Sequence, residues 1–153
     1  MMEDRYLPYA SLLMRFALAI TLLSAIADRL GILGEPGQQN VLWGEWSDFV
    51  DYMHTLVPFI SRSIADKLAL AITFIEFCLA FMLLFGLKIR WAAIGTGILH
   101  VIFALAILNA FGLKAVLDHG LFVSIAASFL LASIPIYKWT LHGIKKRTVY
   151  NPY

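Results

Sequence analysis

Four apolar stretches organise this chain, at roughly 9–27, 67–87, 91–113 and 115–137, with the charged positions gathered between them. A helix that crosses a bilayer needs about 20 mostly apolar residues, and the last three stretches meet that plainly. The first is interrupted by Arg15. A long arginine near one end of a span can snorkel to the headgroups, so the stretch still reads as a span. The pattern predicts an all-α membrane protein: one membrane domain over 1–153, built as a four-transmembrane-helix bundle. An external loop occupies 28–66 and a cytoplasmic tail 138–153. Ala25 and Ala27 resemble a signal-peptide cleavage box, but Glu3, Asp4 and Arg15 fit no leader, so cleavage is not expected.

The loop has its own pattern. "GEPGQQN" is rich in turn formers. In the segment after it, Trp46, Phe49, Val50, Met53 and Val57 recur at helical spacing, and Pro58 marks an end. This predicts an amphipathic helix over 45–57, lying on the outer membrane surface and anchored by Trp43 and Trp46. It caps the bundle or forms a lid over a cavity. Ser63, three residues before Asp66, resembles a capping box at the start of the second span.

Composition supports the hydropathy pattern. The chain is 61% hydrophobic and 14% charged, with mean hydropathy +0.80, where a soluble domain is about half apolar and a quarter charged. No basic run with interleaved aromatics suggests a nucleic-acid partner. The single cysteine, Cys78, excludes an intrachain disulfide and a CxxC pair. With four spans, Arg5, Lys88, Arg90, Lys138, Lys145, Lys146 and Arg147 share the side of the two termini, with Arg15 at its edge. The other side holds four cations (Arg29, Arg62, Lys67, Lys114) against seven acids. The positive-inside rule then places both termini in the cytoplasm.

Small residues mark where helices approach closely: Ser124, Ser128 and Ala132 on the fourth span, Ala92, Ala93, Gly95 and Gly97 on the third, and Ala17, Thr21 and Ala25 on the first.

Candidate chemistry centres on "TFIEFCLAFM", where Glu76 is the only formally charged residue between Leu68 and Leu87. An ionisable group at that depth needs a partner, a proton or a function. Folding the hairpin about Lys88 brings Glu76 and His100 level, each about 18 Å from the turn. A Glu76–His100 hydrogen bond is therefore the first expectation, with Arg15 as the second partner. A protonated Glu76 serving as interhelical glue is the structural alternative. Asp28, Arg29, Lys114, Asp118 and His119 gather at the opposite end, either as interfacial charges or as the polar mouth of a cavity. No second His stands three or four residues from His100, so no metal site is expected.

Arg15 in "LLMRFALAI", "ADRLGILGEPGQQNVLWGEW", "TFIEFCLAFMLLFGLKIRWAAIG" and "SIAASFLLAS" together resemble the DoxX family of small bacterial membrane proteins, over 12–132. Where many members carry a Gly and a Lys near the end of the first helix, this chain has Ala27, Asp28 and Arg29. The resemblance implies a four-helix membrane protein tied to redox metabolism, since relatives are linked to thiosulfate:quinone oxidoreductase and to oxidative and thiol stress. From it follows the expectation of a redox-complex subunit that contacts a soluble redox protein and, through Glu76 and His100, quinone. A small proton-coupled transporter acting as a dimer, and a purely structural or assembly protein, are the alternatives. No nucleophile with its base, phosphate loop or metal set is present, so the chain does not read as an enzyme by itself.

Overall fold

In a computed structural model, the structure describes residues 3–135, 137, 139 and 140, with side chains from Tyr6 onward. The described chain is all helical: α1 (Glu3–Arg29), α2 (Trp46–Leu56), α3 (Arg62–Phe85), α4 (Ile89–Phe111), α5 (Leu113–Asp118) and α6 (Leu121–Ser133). Stretches within α1, α3 and α4, namely Tyr6–Arg29, Arg62–Phe85 and Ile89–Phe111, are long and apolar enough to cross a membrane. The expected tail charges Lys138, Lys145, Lys146 and Arg147 lie outside the described residues.

The expected continuous helix over 115–137 is instead two. Gly120 takes a left-handed φ of 63° and breaks the helix, and Ile134 leaves helical geometry just before Pro135. A proline disfavours helical geometry in the residue before it. α6 alone, at 13 residues, reaches only about 20 Å, while α5 and α6 together reach about 30 Å.

Two apolar cores stack along the bundle. Near the termini, Leu18, Leu22, Ala80, Leu83, Ala92, Ala93 and Leu131 pack together. Near the loop, Phe49, Val50, Met53, Ala65, Ala69, Ala104, Ile107 and Val116 form the second cluster. α4 lies chiefly on α6, and α1 on α3. Thr96 and Ser128 are fully buried in the α4–α6 contact, and the Phe129 ring rests where a Gly97 Cβ would be, 3.0 Å away. The small residues of α4 and α6 thus lie where the two helices pack closely. Those of α1 do not: Ala17 and Thr21 are exposed, and α1 packs through Ser11, Arg15, Leu18, Ala19 and Leu22 instead.

The α3–α4 turn shows what Arg15 does. Gly86 adopts φ 68°, with Leu87 N–H donating to Met82 O and Gly86 N–H to Leu83 O, a Schellman ending that leaves other carbonyls open. Arg15 donates from Nε to Leu83 O (3.1 Å) and from NH2 to Leu84 O (3.3 Å). Arg90 does the same for α6, donating to Ala132 O at 3.0 Å. Arg15 is therefore a cap for α3, remote from Glu76 by about two helical turns, and the expected Arg15–Glu76 contact does not form.

α2 does not turn its apolar stripe to lipid. Phe49, Val50, Met53 and Leu56 are all buried against α3 and α4. Trp46 Nε1–H donates to Asp66 (2.7 Å), and Arg62 pairs with Asp51 (2.6 Å), clipping α2 to the start of α3. The N-cap of α3 is Ser61, whose Oγ accepts from Ile64 N–H, not Ser63. With Asp66 engaged by Trp46, the capping-box pair has no second member.

Candidate binding site

Between the two cores each helix presents a polar group. Glu76 lies between Ala69 and Ala80 on α3, and His100 between Ala93 and Ala104 on α4. They face a cavity of about 520 Å³ that also takes in Asp28 and Arg29 of α1, Trp43 of the loop and Phe49 and Tyr52 of α2. Its exposed lining residues are Ile20, Thr21 and Ser24 of α1, Leu33, Asn40 and Leu42 of the loop, and His119 at the α5–α6 break, so the opening is bounded by all three.

The partner of Glu76 is Arg29. NH1 lies 2.8 Å from Oε2, and both side chains are at most 4% exposed. The contact is a buried ion pair. Arg29 is held at two nitrogens and on its face: Nε donates to Ala25 O (3.0 Å), NH1 donates to Thr73 Oγ1 (2.8 Å), and the guanidinium lies 3.9 Å from the Phe49 ring centre and 5.3 Å from that of Trp43. Guanidinium over an aromatic face is favourable, more so when desolvated.

Neither expected partner of Glu76 is used. His100 is level with it and shares its cavity, yet makes no hydrogen bond with it; Nδ1 has no partner. The direction of the side chains accounts for Arg29. Helical side chains lean toward their own N-terminus. On antiparallel α1 and α3, that lean carries Arg15 away from Glu76 and carries Arg29 toward it. The lean was legible in the sequence, as was the length of an arginine. Treating Arg29 as an interfacial charge hid the match.

Asp28, next to Arg29, secures the roof. Its carboxylate accepts from Leu42 N–H and Trp43 N–H, both at 3.1 Å for the shorter contacts. This holds Trp43 over Arg29 and against Phe49 and Tyr52. Trp43 therefore anchors the loop to the protein instead of to a lipid belt. Burial raises the Tyr52 hydroxyl above its ordinary pKa, and its ring stacks on Phe111.

Of the five residues expected at the opposite end, Asp28, Arg29 and His119 line the cavity, whereas Lys114 and Asp118 pair with each other, exposed and outside it. Trp43, Phe49 and Tyr52 are the aromatic lining residues of the loop and α2 that sequence reasoning did not place at a site. Among the described residues no three His, Cys, Asp or Glu side chains gather as for a metal.

One feature sets this cavity apart. Among the described residues, two buried polar side-chain atoms have no partner within the protein, Trp43 Nε1 and His100 Nδ1, and a third, Glu76 Oε2, has only its ion pair with Arg29. All three belong to residues that line it. Leaving such a group unmade costs about 1–3 kcal/mol, and a shared location makes a shared partner the economical explanation. No protein-family model, curated protein or solved structure matches the chain.

Proposed function

We propose that this chain is a DoxX-like integral membrane subunit of a redox assembly and that its cavity binds a quinone-class molecule. The observation that carries this reading is the clustering of Trp43 and His100, each with an unpartnered polar atom, beside the Arg29–Glu76 ion pair on the wall of one largely apolar cavity. An apolar pocket with a few convergent polar groups is the usual form of a small-molecule site. A ring carrying oxygens supplies partners for those groups, and the apolar walls suit its body. The opening bounded by α1, the loop and the α5–α6 break gives access to it.

In this reading α1, α3, α4 and the α5–α6 pair make four crossings, with α2 and the loop as an external roof. Both termini then lie in the cytoplasm of a bacterial inner membrane, as the Lys and Arg distribution favours. Glu76 and His100 are the proton-handling candidates, and Arg29 holds Glu76 in place. A soluble redox protein, or a second copy of this chain, is the expected company.

The test is thermal unfolding of detergent-purified protein with decylubiquinone supplied in each redox form. A ligand that binds only the native state at about 100 times its Kd adds about 2.7 kcal/mol. The expected result is a rise of several degrees in Tm with at least one form, abolished in Ser24→Trp, which plugs the mouth. An unchanged Tm with both forms contradicts the reading.

A further inference from the structure

We infer that the cavity holds its ligand by an accepting oxygen, a carbonyl or a carboxylate, to which Trp43 and Arg29 donate. This rests on reading the cavity as a ligand site. Much of the polar layer is already engaged within the protein. Glu76 has its counter-charge in Arg29, with Oε2 2.8 Å from NH1. Asp28 accepts from the Leu42 and Trp43 amides. Thr73 Oγ1 accepts from Arg29 and donates to Ala69 O.

Two groups that can only donate are not engaged. Trp43 Nε1–H has no partner among the described residues, nor has His100 Nδ1, which donates or accepts according to its tautomer. Arg29 commits Nε to Ala25 O and NH1 to Thr73 and Glu76, and its NH2 makes no hydrogen bond among the described residues. Trp43, Arg29 and His100 all line the cavity, and the Arg29 guanidinium lies 5.3 Å from the Trp43 ring centre. Donor-only groups that close together are answered by one accepting group. Trp43 is held ready for it, its amide bonded to Asp28 and its ring against Phe49 and Tyr52. An apolar molecule without such an oxygen leaves these donors unmade, and a site built to bond a polar group rejects the analogue that lacks it. A carbonyl and a carboxylate share the acceptor and differ in charge, which the probes below separate.

Three probes with one naphthalene body test this: 2-acetylnaphthalene, its isostere 2-isopropenylnaphthalene, in which a methylene replaces the oxygen, and 2-naphthoate. Each is titrated into the full-length protein in detergent while heteronuclear NMR follows the indole N–H signals; the one missing from Trp43→Phe belongs to Trp43. The ketone or the carboxylate should bind about tenfold tighter than the hydrocarbon, the order of one hydrogen bond to a charged donor. It should also move the Trp43 indole proton downfield where the hydrocarbon does not. Tighter binding of the ketone makes the acceptor a neutral carbonyl, and tighter binding of naphthoate makes it a carboxylate. Trp43→Phe keeps a ring, and Arg29→Met with Glu76→Leu removes the guanidinium together with its counter-charge; each should lower the preference severalfold. A hydrocarbon that binds as tightly as both oxygen-bearing probes, or a preference that survives in both variants, overturns the inference and leaves the cavity a ligand site. The wild-type comparison decides this whether or not the variants fold. No binding by any of the three also overturns the inference; the ligand-site reading then stands if decylubiquinone raises Tm and falls with it if not.

Discussion

At the residue scale, Arg29 and Glu76 are a pair taken out of water together, at 2.8 Å and both nearly fully buried. Removing one partner strands the other, which costs about 3–5 kcal/mol, whereas replacing both with apolar side chains is often neutral or better. Arg29→Met and Glu76→Leu should each destabilise by that order, and the double variant should recover most of the loss. A double-mutant cycle on unfolding in mixed micelles measures it; additive losses would contradict the pairing. Asp51 gives the pH-dependent contact. Its hydrogen bond from Arg62 lowers its pKa below the ordinary carboxylate value, so its contribution is full at neutral pH and is lost as pH falls through and below the usual carboxylate range. Both side chains are more than half exposed, so the effect is small and screened by salt. Asp51→Asn should flatten the acid limb of the stability profile slightly and leave it unchanged at high ionic strength.

At the element scale, the two ends of α3 and the α4–α6 seam decide how the bundle closes. Gly86 is required twice: its φ of 68° suits glycine, and a Cβ there would stand 2.7 Å from Arg15 NH2. Gly86→Ala should therefore cost more than the roughly 1 kcal/mol of an ordinary left-handed penalty, because it also disturbs the cap on Leu83 and Leu84. Gly97→Leu should cost about 1–3 kcal/mol by displacing Phe129. Each is read from the unfolding midpoint against wild type. Much at this scale was legible in the sequence. The three long helices, the α3–α4 hairpin and the helix near 45–57 follow from periodicity and composition, whereas which small-residue faces meet does not. The α5–α6 break was not, because Gly120 lies in an apolar run where a single glycine is compatible with continuous helix. The capping of α3 by Ser61 was missed because Ser61 and Ser63 flank the same turn.

At the scale of the whole molecule, two apolar cores leave a polar layer between them, and that layer opens into one cavity. Glu76 and His100 were legible as its floor from hairpin arithmetic alone. The roof was not: Trp43 read as a lipid anchor, Phe49 as part of an apolar stripe at the membrane surface, and Tyr52 carried no reading, because sequence periodicity cannot tell an apolar stripe that meets lipid from one that meets the bundle. What joins floor to roof is Arg29, bonded below to Thr73, paired with Glu76 and stacked above against Phe49 and Trp43. A molecule held there would complete the polar layer.

The most direct test is native mass spectrometry of the protein released gently from its own membrane, with wild type and Ser24→Trp measured side by side. Ser24 is exposed at the mouth, so its replacement blocks access without entering either core. The account predicts a stoichiometric adduct with the mass of a membrane quinone or quinol on wild type, and none on Ser24→Trp. A wild-type spectrum without an adduct, or the same adduct on both proteins, would contradict it.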